Sequence, residues 1–202
     1  MPPEPFTKKR LLVVEGDDEV NFFKKLLEFI GISDNVDRRK SDGKYNFKTV
    51  MQAFTITRGF KKIEKIAVIR DADKNANDAF RSVTGTLKKI GLKPPDRLGK
   101  FSKGIPAVGV FIMPDNYSEG MLEDLCLETV KDHEAMKCVE EFIACTKKLE
   151  EVPKNISKAK VQAFLAAKPT IVSSVGLGAQ KGYWNFKSEK LQSLITFLNQ
   201  LK

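Results

Sequence analysis

The 202-residue chain holds 35 lysines and arginines against 26 aspartates and glutamates, a net charge of +9, and 42% of its residues are hydrophobic. That is enough for one domain with a real core, while the longest apolar stretches, near Val108–Met113 and Ile171–Val172, fall far below the roughly 18 to 20 residues of a membrane span. Met1-Pro2-Pro3-Glu4-Pro5 has no apolar leader character, so an intracellular protein with reduced thiols is expected.

Residues 1–10 read as a tail and 11–202 as a single domain, with an α/β core over 11–130 and a helical extension over 131–202. Leu11-Leu12-Val13-Val14 is a run of branched aliphatics, the pattern of a strand buried on both faces, and it delivers Glu15 at its end. Asp17 caps the helix that follows, in which Val20, Phe23, Leu26, Leu27 and Ile30 recur at helical spacing until Gly31 stops it. A strand over Val36–Lys40, a turn at Ser41-Asp42-Gly43-Lys44 and a helix over Asn46–Thr57 come next. Ile66–Arg70 is a third apolar strand, leading into Asp71-Ala72-Asp73. A helix over Asn77–Ile90 ends at Gly91, Lys93–Lys103 reads as a loop, and Val108–Met113 is a fourth strand stopped by Pro114. Beyond it Met121–Thr129, Glu134–Leu149, Ser157–Ala167 and Ser188–Leu201 show the 3.6-residue period. Strands alternating with helices predict a doubly wound, mainly parallel sheet of about four strands with helices on both faces and a helical carboxyl-terminal part.

Cys126, Cys138 and Cys145 are odd in number, lack any C-x-x-C pair, and are expected as buried thiols on apolar helix faces. His133 is the only histidine, so Ser-His or Cys-His catalysis is disfavoured, and these four residues match no common zinc spacing. Charge is segregated: nine acids and two bases fall between Asp115 and Glu141, leaving 33 bases against 17 acids elsewhere. A basic surround beside acids suits a polyanion such as nucleic acid, although any one lysine cluster reads equally well as a solvated helix face.

Three strands end in acids. In open α/β sheets ligands collect beyond the carboxyl ends of the strands, and acids converging there repel unless a cation joins them. Glu15 has no local structural duty, and Gly16 leaves room for a sharp turn. Asp17, Asp18 and Glu19 are explained by capping and the helix dipole, and only Glu19 is carried forward as a ligand. Asp71 and Asp73, two apart, project to one side if the extended geometry persists, although Asp-Ala-Asp-Lys-Asn is also turn chemistry. Asp115, Glu119, Glu123 and Asp124 follow the fourth strand.

Glu-Gly-x-x-x-Glu after the first strand and Asp-x-Asp after a later one resemble the Toprim domain of topoisomerases, bacterial primases, OLD nucleases and the small ribonuclease that matures 5S ribosomal RNA. Val68–Asp73, Gly109–Asp115 and Gly120–Leu125 are similar to segments of a small, stand-alone Toprim-like family of bacterial and archaeal proteins. The resemblance runs from about Leu11 to the carboxyl end. It implies Glu15 as a metal ligand and proton carrier, Asp71 and Asp73 as holders of Mg²⁺ or Mn²⁺, Glu19 and Glu123 as the further acids of the nuclease branch, Asp115 and Asp124 as additional ligands, and Lys158 or Lys160 as a basic helper on the substrate. With Glu15, Asp71, Asp73 and Glu123 as the catalytic set, the implied activity is metal-dependent hydrolysis of phosphodiester bonds in DNA or RNA. Alternatives are a non-catalytic module binding nucleic acid, nucleotide or protein, a phosphatase of the haloacid-dehalogenase type, and a phosphoacceptor domain. A second copy of the chain or another protein stays open as partner, and no membrane is expected. Gly182-Tyr183-Trp184-Asn185-Phe186 reads first as a docking surface for the last helix and second as a base-stacking cluster. Gly176-x-Gly178 is too short for a phosphate loop.

Overall fold

The structure, a computed structural model, describes residues 4–202. Its elements in order are β1 (Arg10–Val14), α1 (Asp17–Phe29), β2 (Val36–Lys40), α2 (Phe47–Ile56), β3 (Lys65–Asp71), α3 (Ala76–Lys89), β4 (Ala107–Met113), α4 (Leu122–Thr129), α5 (Ala135–Thr146), α6 (Ile156–Ala166), α7 (Val175–Gln180) and α8 (Gln192–Asn199). All four strands are parallel, in the order β2-β1-β3-β4. The expected α/β architecture with a helical carboxyl-terminal part is therefore present.

Strand parity sorts the core into two layers. Leu11, Val13, Ile66, Val68, Val108, Val110 and Ile112 face α2 and α3 through Phe47, Met51, Phe54, Val83 and Leu87. Leu12, Val14, Ala67, Ile69, Phe111 and Met113 face α1 and the carboxyl-terminal helices, in one apolar cluster that runs on to Leu201. The last helix joins through Phe197, whose ring lies 5.5 Å from Phe111 and 5.2 Å from Phe101. Gly109 makes that approach possible, since a Cβ there would stand 2.5 Å from the Phe101 ring.

Four local expectations need correction or refinement. Of the expected tail, residues 1–3 lie outside the described residues, Arg10 already belongs to β1, and Phe6 is buried against Phe54 and Phe60. Cys126 is buried, its thiol pushed well up by desolvation, but Cys138 and Cys145 are both exposed on α5. The Trp184 cluster shares one apolar core with Leu194 and Leu198 of the last helix, as expected, but its direct ties run to other helices. Its indole stacks on Phe164 at 5.3 Å and donates to the Val175 carbonyl at 2.8 Å, and Phe186 meets Phe22 edge-on.

The fourth correction is α7, an element built on a long-range tie. Asp18 caps this helix and not its own. Its Oδ1 accepts from the Gly176 amide and the Ser174 hydroxyl, each at 2.6 Å, and its Oδ2 from the Val175 amide at 3.0 Å. A Cβ on Gly176 would meet the Asp18 carbonyl oxygen at 2.6 Å, so glycine permits the two helices to touch. Asp18→Ala strips three donors of their acceptor and is expected to cost about 2 kcal/mol in urea unfolding. An unchanged midpoint would show that the tie contributes nothing.

Candidate functional site

The strand order places the topological switch between β1 and β3, because the chain leaves β1 toward β2 on one side and returns to β3 on the other. Ligands bind at the carboxyl ends of strands that diverge in this way. Glu15 and Gly16 leave β1 there, and Asp71 is the last residue of β3.

Parity sends neighbouring residues of β3 to opposite faces. Arg70, with Ile66 and Val68, points toward α2, where its guanidinium lies 5.8 Å over the Phe47 ring and is 5% exposed. Glu15 supplies its counter-charge, with Oε1 2.7 Å from Arg70 Nε, although the N–H is not directed at it and Nε has no hydrogen-bond partner. The same Oε1 is 3.4 Å from the Asp71 amide. Asp71, with Ala67 and Ile69, points toward α1 and α4. Its Oδ1 accepts from the Leu122 amide at 3.0 Å, and this bond fixes the amino end of α4 and Glu123 beside it. Glu19 turns back from the first turn of α1, and its Oε2 accepts from the Gly16 amide at 3.1 Å. The Glu123 carboxylate lies 3.8 Å from the Lys158 amine.

Asp71 and Glu19 feel the charges of the other acids. Burial, followed by the charges of Glu15, Glu19 and Glu123, holds the Asp71 carboxyl well above the usual range, against the opposing pull of the Leu122 amide. Glu19 is raised by burial and then by Glu15, Asp18 and Glu123, its backbone bond working the other way. Glu123 is raised chiefly by burial, with Lys158 opposing.

The remaining candidates face elsewhere. The extended geometry that was to set Asp73 beside Asp71 ends at Asp71: Asp73 has a φ of 51°, and its amide and carbonyl pair with Gly120 at 3.0 and 2.9 Å. Aspartate tolerates this left-handed conformation better than most residues. The Asp73 carboxylate is turned to Lys44, 3.2 Å away. Asp115 closes the turn after β4, accepting from the Tyr117 and Ser118 amides at 2.9 and 2.7 Å. Burial pushes its carboxyl up, and the bonds from this turn bring it below the ordinary range. Asp124 accepts from the Met121 amide at 2.9 Å and from the Ser157 hydroxyl, tying α4 to α6. The Lys160 amine sits on Glu140 at 2.6 Å.

Glu15, Glu19, Asp71 and Glu123 thus converge, and Asp73, Asp115 and Asp124 are engaged by other partners. Among the described residues no three His, Cys, Asp or Glu side chains stand ready around one point for a metal ion. The donor set nevertheless suits a hard cation. It consists only of carboxylate oxygens, and Glu15 Oε2, Glu19 Oε1 and Asp71 Oδ2 receive no hydrogen bond from the described residues. Beside the set opens a cleft of about 590 Å³, lined by Lys44, Arg70, Asp71, Asp73, Lys74 and Met121 among others. Arg70 and Lys44 were not singled out from sequence. Arg70 was traceable, since an arginine within a strand buried on both faces requires a counter-charge.

The fold, an open α/β sheet of Toprim-like type, is shared with the C-terminal region of an OLD protein. The corresponding region of the Burkholderia pseudomallei OLD protein superposes with a TM-score of 0.50 at 12% identity, covering 98% of this chain and 100% of that one. The C-terminal region of the Xanthomonas campestris pv. campestris OLD protein gives 0.49 at 12% identity, covering 97% of each. No curated protein matches the chain. A family model described as "Protein of unknown function (DUF3226)" matches residues 9–202, and the chain belongs to that family.

The raised Asp71 carboxyl fixes the sign of a pH effect. A carboxyl whose folded pKa exceeds its unfolded one binds its proton more tightly in the folded state, so stability falls as pH rises through the folded value. In chelator, the parent's melting temperature is therefore expected to rise as pH drops from about 8 to about 5, and Asp71→Asn to melt higher at pH 8 with a flatter profile. Parallel profiles for the two proteins would show that Asp71 carries no such strain.

Proposed function

We propose that this chain is a divalent-metal-dependent phosphodiesterase acting on DNA or RNA. The observation that carries the reading is the half-buried, desolvated Asp71 carboxyl, set at the sheet's switch point within the influence of Glu15, Glu19 and Glu123. Such a group is costly without a cation and useful with one. Glu15, Glu19, Asp71 and Glu123 would hold Mg²⁺ or Mn²⁺. When bound, such an ion polarises a phosphate oxygen and lowers the pKa of water. The Toprim nuclease resemblance of the strand-end motifs supports the same chemistry.

The chain's own residues have separable duties. Lys44 and Lys74 at the cleft, and Lys158 beside Glu123, offer positive charge to a polyanion that the carboxylates alone would repel. Arg70 holds Glu15 from the opposite face of the sheet. Asp73 points away from Asp71 onto Lys44, which weighs against the phosphatase reading, where both aspartates serve one phosphate. A non-catalytic binding module remains the second reading, favoured by the close Arg70–Glu15 ion pair.

The test is a panel of single- and double-stranded DNA and RNA incubated with Mg²⁺, Mn²⁺ or chelator. Cleavage is expected with metal only, and Asp71→Asn or Glu123→Gln is expected to lower it by about 100-fold or more while the far-ultraviolet circular dichroism stays unchanged. Cleavage by Asp71→Asn at the parent rate would remove the site. Metal binding with no cleavage of any substrate would establish the binding module instead.

A further inference from the structure

Four large hydrophobic side chains are nearly fully exposed: Tyr45 (90%), Ile56 (88%), Tyr117 (85%) and Ile105 (84%). Ile56 ends α2 and Ile105 precedes β4, so both lie toward the amino edge of the sheet. The two tyrosines stand at the carboxyl edge, with the acids. Tyr45 lies between β2 and α2, and Tyr117 between β4 and α4, so they flank the central pair β1 and β3. Neither phenol makes a hydrogen bond among the described residues, whereas Tyr183 donates to the Thr170 carbonyl.

The loops presenting these rings are bonded to one another. Lys44 lies 5.6 Å from the Tyr45 ring centroid and reaches the Asp73 carboxylate at 3.2 Å. Asp73 pairs through both backbone groups with Gly120, three residues beyond Tyr117. Tyr117 itself rides on a fixed turn. Asp115 accepts from its amide, and the buried Asn116 exchanges two bonds with Ile112, its amide donating to the carbonyl and its Oδ1 accepting from the amide at 2.8 Å. A ring held out by a rigid turn loses little freedom on binding a flat partner. The acidic turn after β4 thereby gains a use that metal ligation does not give it.

We infer that the cleft takes an unpaired stretch of nucleic acid, with bases stacked on Tyr45 and Tyr117 to either side of the carboxylates. The inference rests on the reading of this cleft as the site of phosphodiester chemistry and names its substrate class. Bases in a duplex have their faces covered by neighbours, so only a single strand, bulge or splayed end can offer them to the two rings. Lys44 and Lys74 neutralise phosphates beside the stacked bases. Stacking reads neither sugar nor sequence, so single-stranded DNA and RNA are both accommodated.

The test is fluorescence anisotropy of labelled oligothymidylate and oligouridylate of about twelve nucleotides, against a hairpin duplex, with the full chain in chelator. Single strands are expected to bind at least about tenfold more tightly than the hairpin. Tyr45→Ala and Tyr117→Ala are each expected to weaken that binding about tenfold, and Tyr45→Phe and Tyr117→Phe to retain it. Both rings are exposed, so melting curves of the variants should match the parent. The inference is overturned if the hairpin binds as tightly, if single strands do not bind, or if the alanine variants bind as the parent does. Strand binding in chelator without cleavage in Mn²⁺ keeps this inference and removes the phosphodiesterase reading. Cleavage confined to duplex does the reverse.

Discussion

One half-buried, desolvated carboxyl organises this molecule's carboxyl edge. Asp71 ends the central strand β3, accepts the first amide of α4, and lies within the influence of three other acids. Removing a carboxylate from water costs several kcal/mol unless it is paired. A single amide at the end of an eight-residue helix recovers part of that cost. The remainder persists as a carboxyl held well above its ordinary range. An apolar residue here would give a more stable sheet, so the acid is explained by what it does rather than by what it holds together.

The surrounding structure is arranged to tolerate it. Arg70, one residue earlier and therefore on the other face, brings positive charge beneath Glu15 without approaching Asp71 from its own side. Asp18 and Asp124, whose charges also reach Glu123, are held by hydrogen bonds elsewhere, Asp18 by the Val175 and Gly176 amides and the Ser174 hydroxyl, Asp124 by the Met121 amide and the Ser157 hydroxyl. Asp73 is drawn outward by Gly120 and Lys44. An acid-rich edge is thus divided into carboxylates that build loops and helix ends and a smaller set that faces the crevice.

This division explains what sequence could and could not reveal. β1, β3 and β4 were legible as short apolar runs, whereas β2, Val-Asp-Arg-Arg-Lys, was marked only by its place between the stop at Gly31 and the turn at Ser41–Lys44. Gly31 and Gly91 marked helix ends because both adopt positive φ, 73° and 82°. Glu15 was legible because an acid closing a fully apolar strand has no local duty, and Asp71 because it opens an Asp-x-Asp at the end of a second strand. Asp18 was assigned to its own helix because its true partners, Ser174 to Gly176, lie more than 150 residues away. α7 escaped for the same reason, since six residues with two glycines have little helical signal without that cap. Asp73, Asp115 and Asp124 share residue type and neighbourhood with the inward acids. The pairing of Asp73 with Gly120 and the bond from Ser157 to Asp124 have no local signature, whereas the Asp115 turn is closed within three residues and only its competition with metal ligation hid it.

The central claim is that the Asp71 cluster is built to receive a divalent cation. Titration calorimetry of Mn²⁺ into the 202-residue chain tests it directly, without reference to any substrate. The account predicts saturable binding by the parent, weakened at least about 100-fold in Asp71→Asn. Equal affinity in the two proteins, or no binding by the parent, would contradict it.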